Sequence, residues 1–119
     1  MLTVYGLKQC STTQKAIKFL ESGGRQVKEL IDIRDTPPSK ETIKLALLAN
    51  DNKVSKIMNT SGGLYREMEL KDKLSNMTLE EVIDLVNKNG MLIKRPLVTD
   101  FKHATVSAKE DLLAKKWLS

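Results

Sequence analysis

Apolar and polar positions change period near residue 10 of the chain. Leu2-Thr3-Val4-Tyr5 is a β-branched and aromatic run of strand character, whereas Ala16, Ile17, Phe19 and Leu20 recur at helical spacing. Ser22-Gly23-Gly24 supplies the glycine ending expected of a helix C-cap, and Val27 to Ile33 predicts a second, largely buried strand. Two strands joined by a crossover of helix length make a βαβ unit, with parallel strands and a right-handed connection. Thr36-Pro37-Pro38 breaks the second strand. Ser39 then caps a helix with Glu41 in its first turn and Ile43, Ala46 and Leu47 on one face. Asn50-Asp51-Asn52 interrupts that helix, a short helix through Val54, Ile57 and Met58 follows, and Asn59-Thr60-Ser61-Gly62-Gly63 is a loop by composition.

In the second half, Thr78-Leu79-Glu80-Glu81 is a capping box, followed by Val82, Ile83 and Val86 on one face and ended by Asn89-Gly90. Two short apolar runs, Met91 to Ile93 and Leu97 to Val98, flank Lys94-Arg95-Pro96, where the proline lacks an N–H and holds Arg95 extended. Leu97 to Thr99 and Ala104 to Val106 predict a hairpin around Asp100-Phe101-Lys102-His103. Ser107-Ala108-Lys109-Glu110 reads as a second capping box, opening a terminal helix that packs Leu112, Leu113 and Trp117 inward. No internal repeat, linker or low-complexity segment is visible. The order βαβ, helices, β-hairpin and closing helix is that of an α/β thioredoxin-like domain with a mixed four-stranded sheet and a helical insertion at roughly 39–88.

Length and composition narrow the possibilities. A chain of 119 residues is most economically a single domain, 1–119, with room for a core. No apolar run approaches the ~20 residues needed to span a bilayer, and no basic segment precedes a longer apolar one at the N-terminus, so a cytoplasmic location is expected. One cysteine, Cys10, cannot close an internal disulfide, and with the one histidine, His103, it cannot complete a structural zinc site. No bound cofactor or metal is expected. The net charge of +5 suits an anionic substrate or acidic partner, but the lysines are spread along the chain and only 4% of residues are aromatic. A solvated basic surface is therefore favoured over direct nucleic-acid binding.

Cys10 lies where strand gives way to helix, so its sulfur is expected near a helix N-terminus, where unpaired N–H groups and the helix dipole favour a thiolate. Lys8 and Lys15 add positive charge nearby. A lone cysteine is as readily a small core residue. The polar flanks Lys8, Gln9, Ser11 and Thr12 argue against that here. Taken alone, Arg95 is an exposed strand-end arginine.

Four separated blocks carry a family resemblance: Tyr5-Gly6-Leu7-Lys8-Gln9-Cys10-Ser11-Thr12-Thr13, Pro37-Pro38-Ser39, Asn59-Thr60-Ser61-Gly62-Gly63-Leu64-Tyr65-Arg66 and Ile93-Lys94-Arg95-Pro96-Leu97-Val98. Together they resemble the arsenate reductase/Spx family over essentially the whole chain. The resemblance implies a thiol-dependent reductase like the glutaredoxin-coupled arsenate reductases, with Cys10 as nucleophile and Arg95 holding the negative charge of the substrate. It further implies a cis Arg95–Pro96 bond that turns the backbone toward the cysteine, and Ser11, Thr12, Thr13, Asn59, Arg66 and Pro96 around the substrate. The partners implied are a small anionic or thiol substrate and glutaredoxin or a low-molecular-weight thiol such as glutathione. Two further arginines of the arsenate reductases are matched here by Asn59 and Ala104, with Arg66 the candidate replacement for the first and Lys102 or His103 for the second. The Spx branch implies the alternative, a transcriptional regulator that binds the C-terminal domain of the RNA polymerase α subunit. Thr13 occupies the second position of that branch's Cys-x-x-Cys pair, so an internal disulfide switch is impossible.

Overall fold

A computed structural model describes Met1–Ser119. Its centre is a mixed four-stranded sheet in the order β2-β1-β3-β4. Strand β1 (Leu2–Gly6) is joined by α1 (Ser11–Ser22) to β2 (Val27–Asp32), which lies parallel to it. On its other side β1 pairs antiparallel with β3 (Leu97–Thr99), and β3 with β4 (Ala104–Val106). The hairpin falls where the alternation of Leu97 to Thr99 and Ala104 to Val106 predicts it. The predicted glycine ending also forms: Gly24 adopts φ +89, and Arg25 N–H returns to the Leu20 carbonyl at 2.9 Å.

Between β2 and β3 come α2 (Lys40–Leu48), α3 (Val54–Ile57), α4 (Gly63–Glu67), α5 (Leu70–Lys73) and α6 (Leu79–Lys88). The two longer helices carry the caps expected of them. Ser39 Oγ accepts from Thr42 N–H at 3.2 Å, and Thr78 and Glu81 close a reciprocal capping box at 3.2 and 3.0 Å. The chain ends with α7 (Glu110–Leu113) and one π-helical turn, Ala114–Leu118. No helix is long and apolar enough to cross a membrane.

Strand alternation divides the core between the two faces of the sheet. Leu2, Val4 and Val98 meet Ala16 and Leu20 of α1 and Leu113 and Trp117 on one side. Tyr5, Leu97, Ala104 and Val106 meet Ile43, Ala46, Leu47, Val82, Ile83 and Val86 on the other. Trp117 is anchored twice: its Nε1–H donates to Thr105 Oγ1 at 3.0 Å, and the Arg25 guanidinium lies 5.6 Å from its ring centre while donating to its carbonyl.

Three expectations need correction. Strand β2 is not largely buried: it is an edge strand with Lys28 and Glu29 exposed, and only Ile33, just beyond it, is fully covered. The apolar run Met91 to Ile93 enters the sheet's neighbourhood through a 3₁₀ turn, Gly90–Leu92, and a single bridge from Ile93 to Met58. Ser107 does not open a capping box. It adopts φ +98 and its Oγ accepts from Lys109 N–H two residues on, which delays the helix to Glu110. Leu112 is only half-buried, whereas Leu113 and Trp117 pack inward as expected.

Candidate active site

The site begins where β1 ends. After Gly6 the chain turns through Leu7–Gln9, closed by Cys10 N–H donating to the Leu7 carbonyl at 3.0 Å. Cys10 is the N-cap residue of α1, with extended φ −82 and ψ 119, and its carbonyl accepts the first helical bond, from Gln14 N–H at 3.0 Å. Its half-exposed sulfur therefore faces the first-turn amides, which have no partner inside the helix. Gly6 permits this seating. A Cβ there would stand 2.6 Å from Thr13 Oγ1 and 2.7 Å from Thr13 Cγ2, so only a glycine lets the first turn of α1 rest on the end of β1.

Partial burial raises the Cys10 pKa, but the amide N–H and hydroxyl of Thr13, and then those of Thr12, favour the anion more strongly and lower it to about 7. Thr13 is itself fully buried, and its Oγ1 accepts the Leu7 N–H at 3.4 Å, which leaves its hydroxyl hydrogen free to donate to the anion. Thr13→Val keeps the shape and removes that donor. The midpoint of a pH–alkylation profile is expected to rise from near 7 toward the free-thiol value without a change in fold. An unmoved midpoint would mean that the amides alone hold the thiolate. Because the folded pKa lies below the unfolded one, ionisation of Cys10 stabilises the fold fully above the unfolded value, and that contribution disappears as the pH falls through about 7.

A second wall comes from the segment before β3. The Met58–Ile93 bridge is extended by Asn59 N–H to the Leu92 carbonyl at 2.7 Å and Lys94 N–H to the Ile57 carbonyl at 2.9 Å. This brings Asn59 and Ser61 beside Lys94 and Arg95. The Arg95–Pro96 peptide is cis, and Arg95 Nη1–H donates to Met91 Sδ at 3.5 Å. The third wall follows β4, where Ser107 N–H donates to the Pro96 carbonyl at 3.1 Å.

The three walls enclose an open cleft of about 540 Å³ lined by Cys10, Thr12, Asn59, Ser61, Lys94, Arg95, Ser107, Ala108 and Lys109. Three cations and no carboxylate line it. A thiolate beside such a surface can meet an anionic reaction partner, because the cations and helix donors offset the repulsion.

Of the residues singled out from sequence, the structure gathers Cys10, Thr12, Asn59 and Arg95 in this cleft. Ser11 is exposed at the first position of α1, Thr13 lies buried beneath the sulfur, and Pro96 is buried with its carbonyl holding Ser107. Arg66 is exposed on α4 and does not line the cleft. Ala104 is fully buried in the core, and the small residue that this segment delivers to the cleft is Ala108. Lys102 and His103 stay at the hairpin tip, where His103 Nδ1 faces Asp100 at 3.6 Å. Sequence reasoning missed Ser61, Lys94, Ser107, Ala108 and Lys109. For Ser61 and Lys94 a signal existed, since each stands within two residues of a position already chosen.

A model of the ArsC family matches residues 5–115. The chain belongs to the ArsC family. Within that family it is 44% identical over 116 residues to the uncharacterised protein YusI of Bacillus subtilis, with 98% of each chain covered. It is 37% identical to a possible arsenate reductase from Streptococcus mutans, whose crystal structure superposes with a TM-score of 0.80 over 94% of this chain and 97% of that one. The global transcriptional regulator Spx of Enterococcus faecalis is 27% identical over 93% of this chain and 82% of its own length. Both branches that the sequence resembles are thus represented among its ArsC relatives.

Proposed function

We propose that this chain is a thiol-dependent reductase working through a single cysteine. The observation that carries the reading is a half-exposed Cys10 with pKa lowered to about 7, opening on a cleft with three cations and no acid. In the reaction the Cys10 thiolate attacks one sulfur of a disulfide. The old S–S bond breaks, a new one joins that sulfur to Cys10, and the other half leaves as a thiolate. An external thiolate, glutathione or glutaredoxin in class, then attacks the mixed disulfide and frees Cys10, leaving as a disulfide itself. That second thiol is required because the chain has no other cysteine. Arg95 holds the anionic part of the substrate, with Asn59 and Thr12 as hydrogen-bonding neighbours. A reducing cytoplasm suits this cycle.

Incubation with oxidised glutathione followed by intact-mass measurement tests the first step. One glutathione on Cys10 is expected, released by added thiol. Absence of the adduct, with no thiol-dependent turnover of either this disulfide or arsenate, would sink the reductase reading.

The likeness to Spx supports a second reading, a regulator that binds the C-terminal domain of the RNA polymerase α subunit through the helical segment after Pro38. With Thr13 where the Spx pair has its second cysteine, such binding would carry no internal disulfide switch. A pull-down with wild type and Cys10→Ser separates the readings. Firm capture of both proteins, with turnover by neither, would favour the regulator.

A further inference from the structure

The cleft beside Cys10 is unbalanced in charge. Lys94 and Arg95 line it from the segment before β3 and Lys109 from the segment after β4, with no carboxylate among the lining residues. None of these cations is ion-paired, since the salt bridges of the chain join Lys40 to Asp84, Lys44 to Glu80 and His103 to Asp100. Arg95 engages only Nη1–H, with Met91 Sδ, and the rest of its guanidinium has no partner in the chain.

Lys109 is delivered to the cleft by a backbone that ordinary loops avoid. Ser107 adopts φ +98, a region that residues with a Cβ rarely occupy. It is held there by its N–H to the Pro96 carbonyl at 3.1 Å and by its Oγ, which accepts Lys109 N–H at 3.2 Å. The Lys109 carbonyl in turn accepts Leu113 N–H at 3.0 Å. Both backbone groups of Lys109 are thus fixed, while its ammonium stays unpaired at an opening that also holds the nucleophile. Strain kept in an ordered segment beside a reactive group points to a use for that segment.

The other lining residues narrow the ligand chemistry. Ala108 is the only aliphatic side chain in the cleft, so no apolar surface is offered to a hydrophobic substrate. Thr12, Ser61 and Ser107 bring hydroxyls, and Asn59 Oδ1 accepts from Ser61 Oγ at 3.5 Å, which leaves the Asn59 nitrogen free to donate. Donors and cations on separate walls match a ligand rich in acceptors and negative charge, and about 540 Å³ suits one small molecule.

We propose that the substrate is a small disulfide with two carboxylates on the half that enters the cleft, Lys94 and Arg95 holding one and Lys109 the other. This rests on the reading of Cys10 as a reductase nucleophile and adds the substrate class to it. One carboxylate can pair with one wall; two are needed to pair with both. The Cys10 thiolate bonds to the sulfur of the dicarboxylate half, and the other half leaves as a thiolate with the electron pair of the broken S–S bond. An external thiolate then bonds to the retained sulfur and displaces the Cys10 thiolate.

Rates of mixed-disulfide formation on Cys10 are measured in the full chain with the symmetrical disulfides of mercaptosuccinate, mercaptopropionate and mercaptoethanol, which carry two, one and no carboxylates per half. Each rate is divided by that of mercaptoethanol thiolate with the same disulfide, which removes intrinsic reactivity. The normalised rate is expected to rise with each carboxylate, by about tenfold or more between the ends, and the advantage to shrink with added salt. Lys109→Gln should lower the ratio of the dicarboxylate to the neutral disulfide about three- to fivefold. Lys115→Gln, which removes an equal charge outside the cleft, should leave that ratio as it was. A normalised rate that does not rise from one carboxylate to two, or equal effects of the two lysine substitutions, would overturn the proposal and leave the reductase reading standing, because adducts still form. No adduct with any of the disulfides would overturn both.

Discussion

Cys10→Ser is expected to abolish thiol-dependent turnover, by at least about 10³-fold, while leaving the fold as stable as before or more so. The loss follows from ionisation. A thiol with pKa about 7 is half thiolate at neutral pH, whereas a serine hydroxyl at the same place is essentially never ionised and has no nearby base to activate it. The stability effect has a different origin. Cys10 is the N-cap of α1 in extended conformation, yet its side chain closes no cap hydrogen bond. Serine is a preferred N-cap residue, so its hydroxyl can accept from the amide of Thr12 or Thr13 and add roughly 0.5–1 kcal/mol, compared below about pH 7 where the thiolate's own stabilising contribution is absent. Activity and stability would then move in opposite directions, as expected where a capping position is given up to a nucleophile. Turnover is measured with oxidised glutathione and excess thiol, and stability by urea denaturation. A Cys10→Ser protein that still turns over would place the chemistry elsewhere; one that fails to fold would make Cys10 structural.

How much of this was legible in the sequence depended on whether a local signal or a long-range contact set the outcome. The change of period across Cys10, the Ser39 and Thr78 caps and the hairpin at Asp100–His103 are local, and each formed where the residues indicated. Strand β2 was misjudged because its apolar residues announce a strand but not its place in the sheet, and at the edge only one flank is paired. Ser107 was misjudged because Ser-x-x-Glu has two local uses. Here the hydroxyl turns to the amide two residues on, while the carbonyl of Pro96, eleven positions upstream, takes the Ser107 N–H. That same long-range bond brings Ala108 and Lys109 to the cleft, so neither could be chosen from local pattern. Ala104 failed for a related reason: register on β4 sends its side chain into the core, and a resemblance in sequence order does not fix which face a residue takes.

Gly90→Ala is expected to be the most damaging single methyl in the chain, lowering stability by about 1–3 kcal/mol and the melting temperature by roughly 4–12 °C. Gly90 is buried at the start of the turn after α6, and a Cβ there would overlap the carbonyl oxygen of Ile33 and approach its carbon and Cγ1 to 3.1 Å. Retreat is blocked on both sides. Ile33 N–H is bonded to the Gly6 carbonyl at 3.0 Å, and Gly90 holds its own turn through Ile93 N–H at 3.0 Å. The wedge would thus be driven between Ile33, which follows β2 and holds Gly6 ahead of Cys10, and the segment leading to Arg95, and thiol turnover should fall beyond what unfolding explains. Gly63→Ala is the matched control, because no atom lies within 4 Å of its added methyl and it sits at the first position of α4. That substitution is expected to be neutral or to stabilise by about 0.4–1 kcal/mol, through the lost freedom of the unfolded chain. Denaturation of the two variants side by side decides the matter: if Gly90→Ala lies within about 0.5 kcal/mol of Gly63→Ala, the contact with Ile33 relaxes freely and the close packing of these two segments does not hold the site.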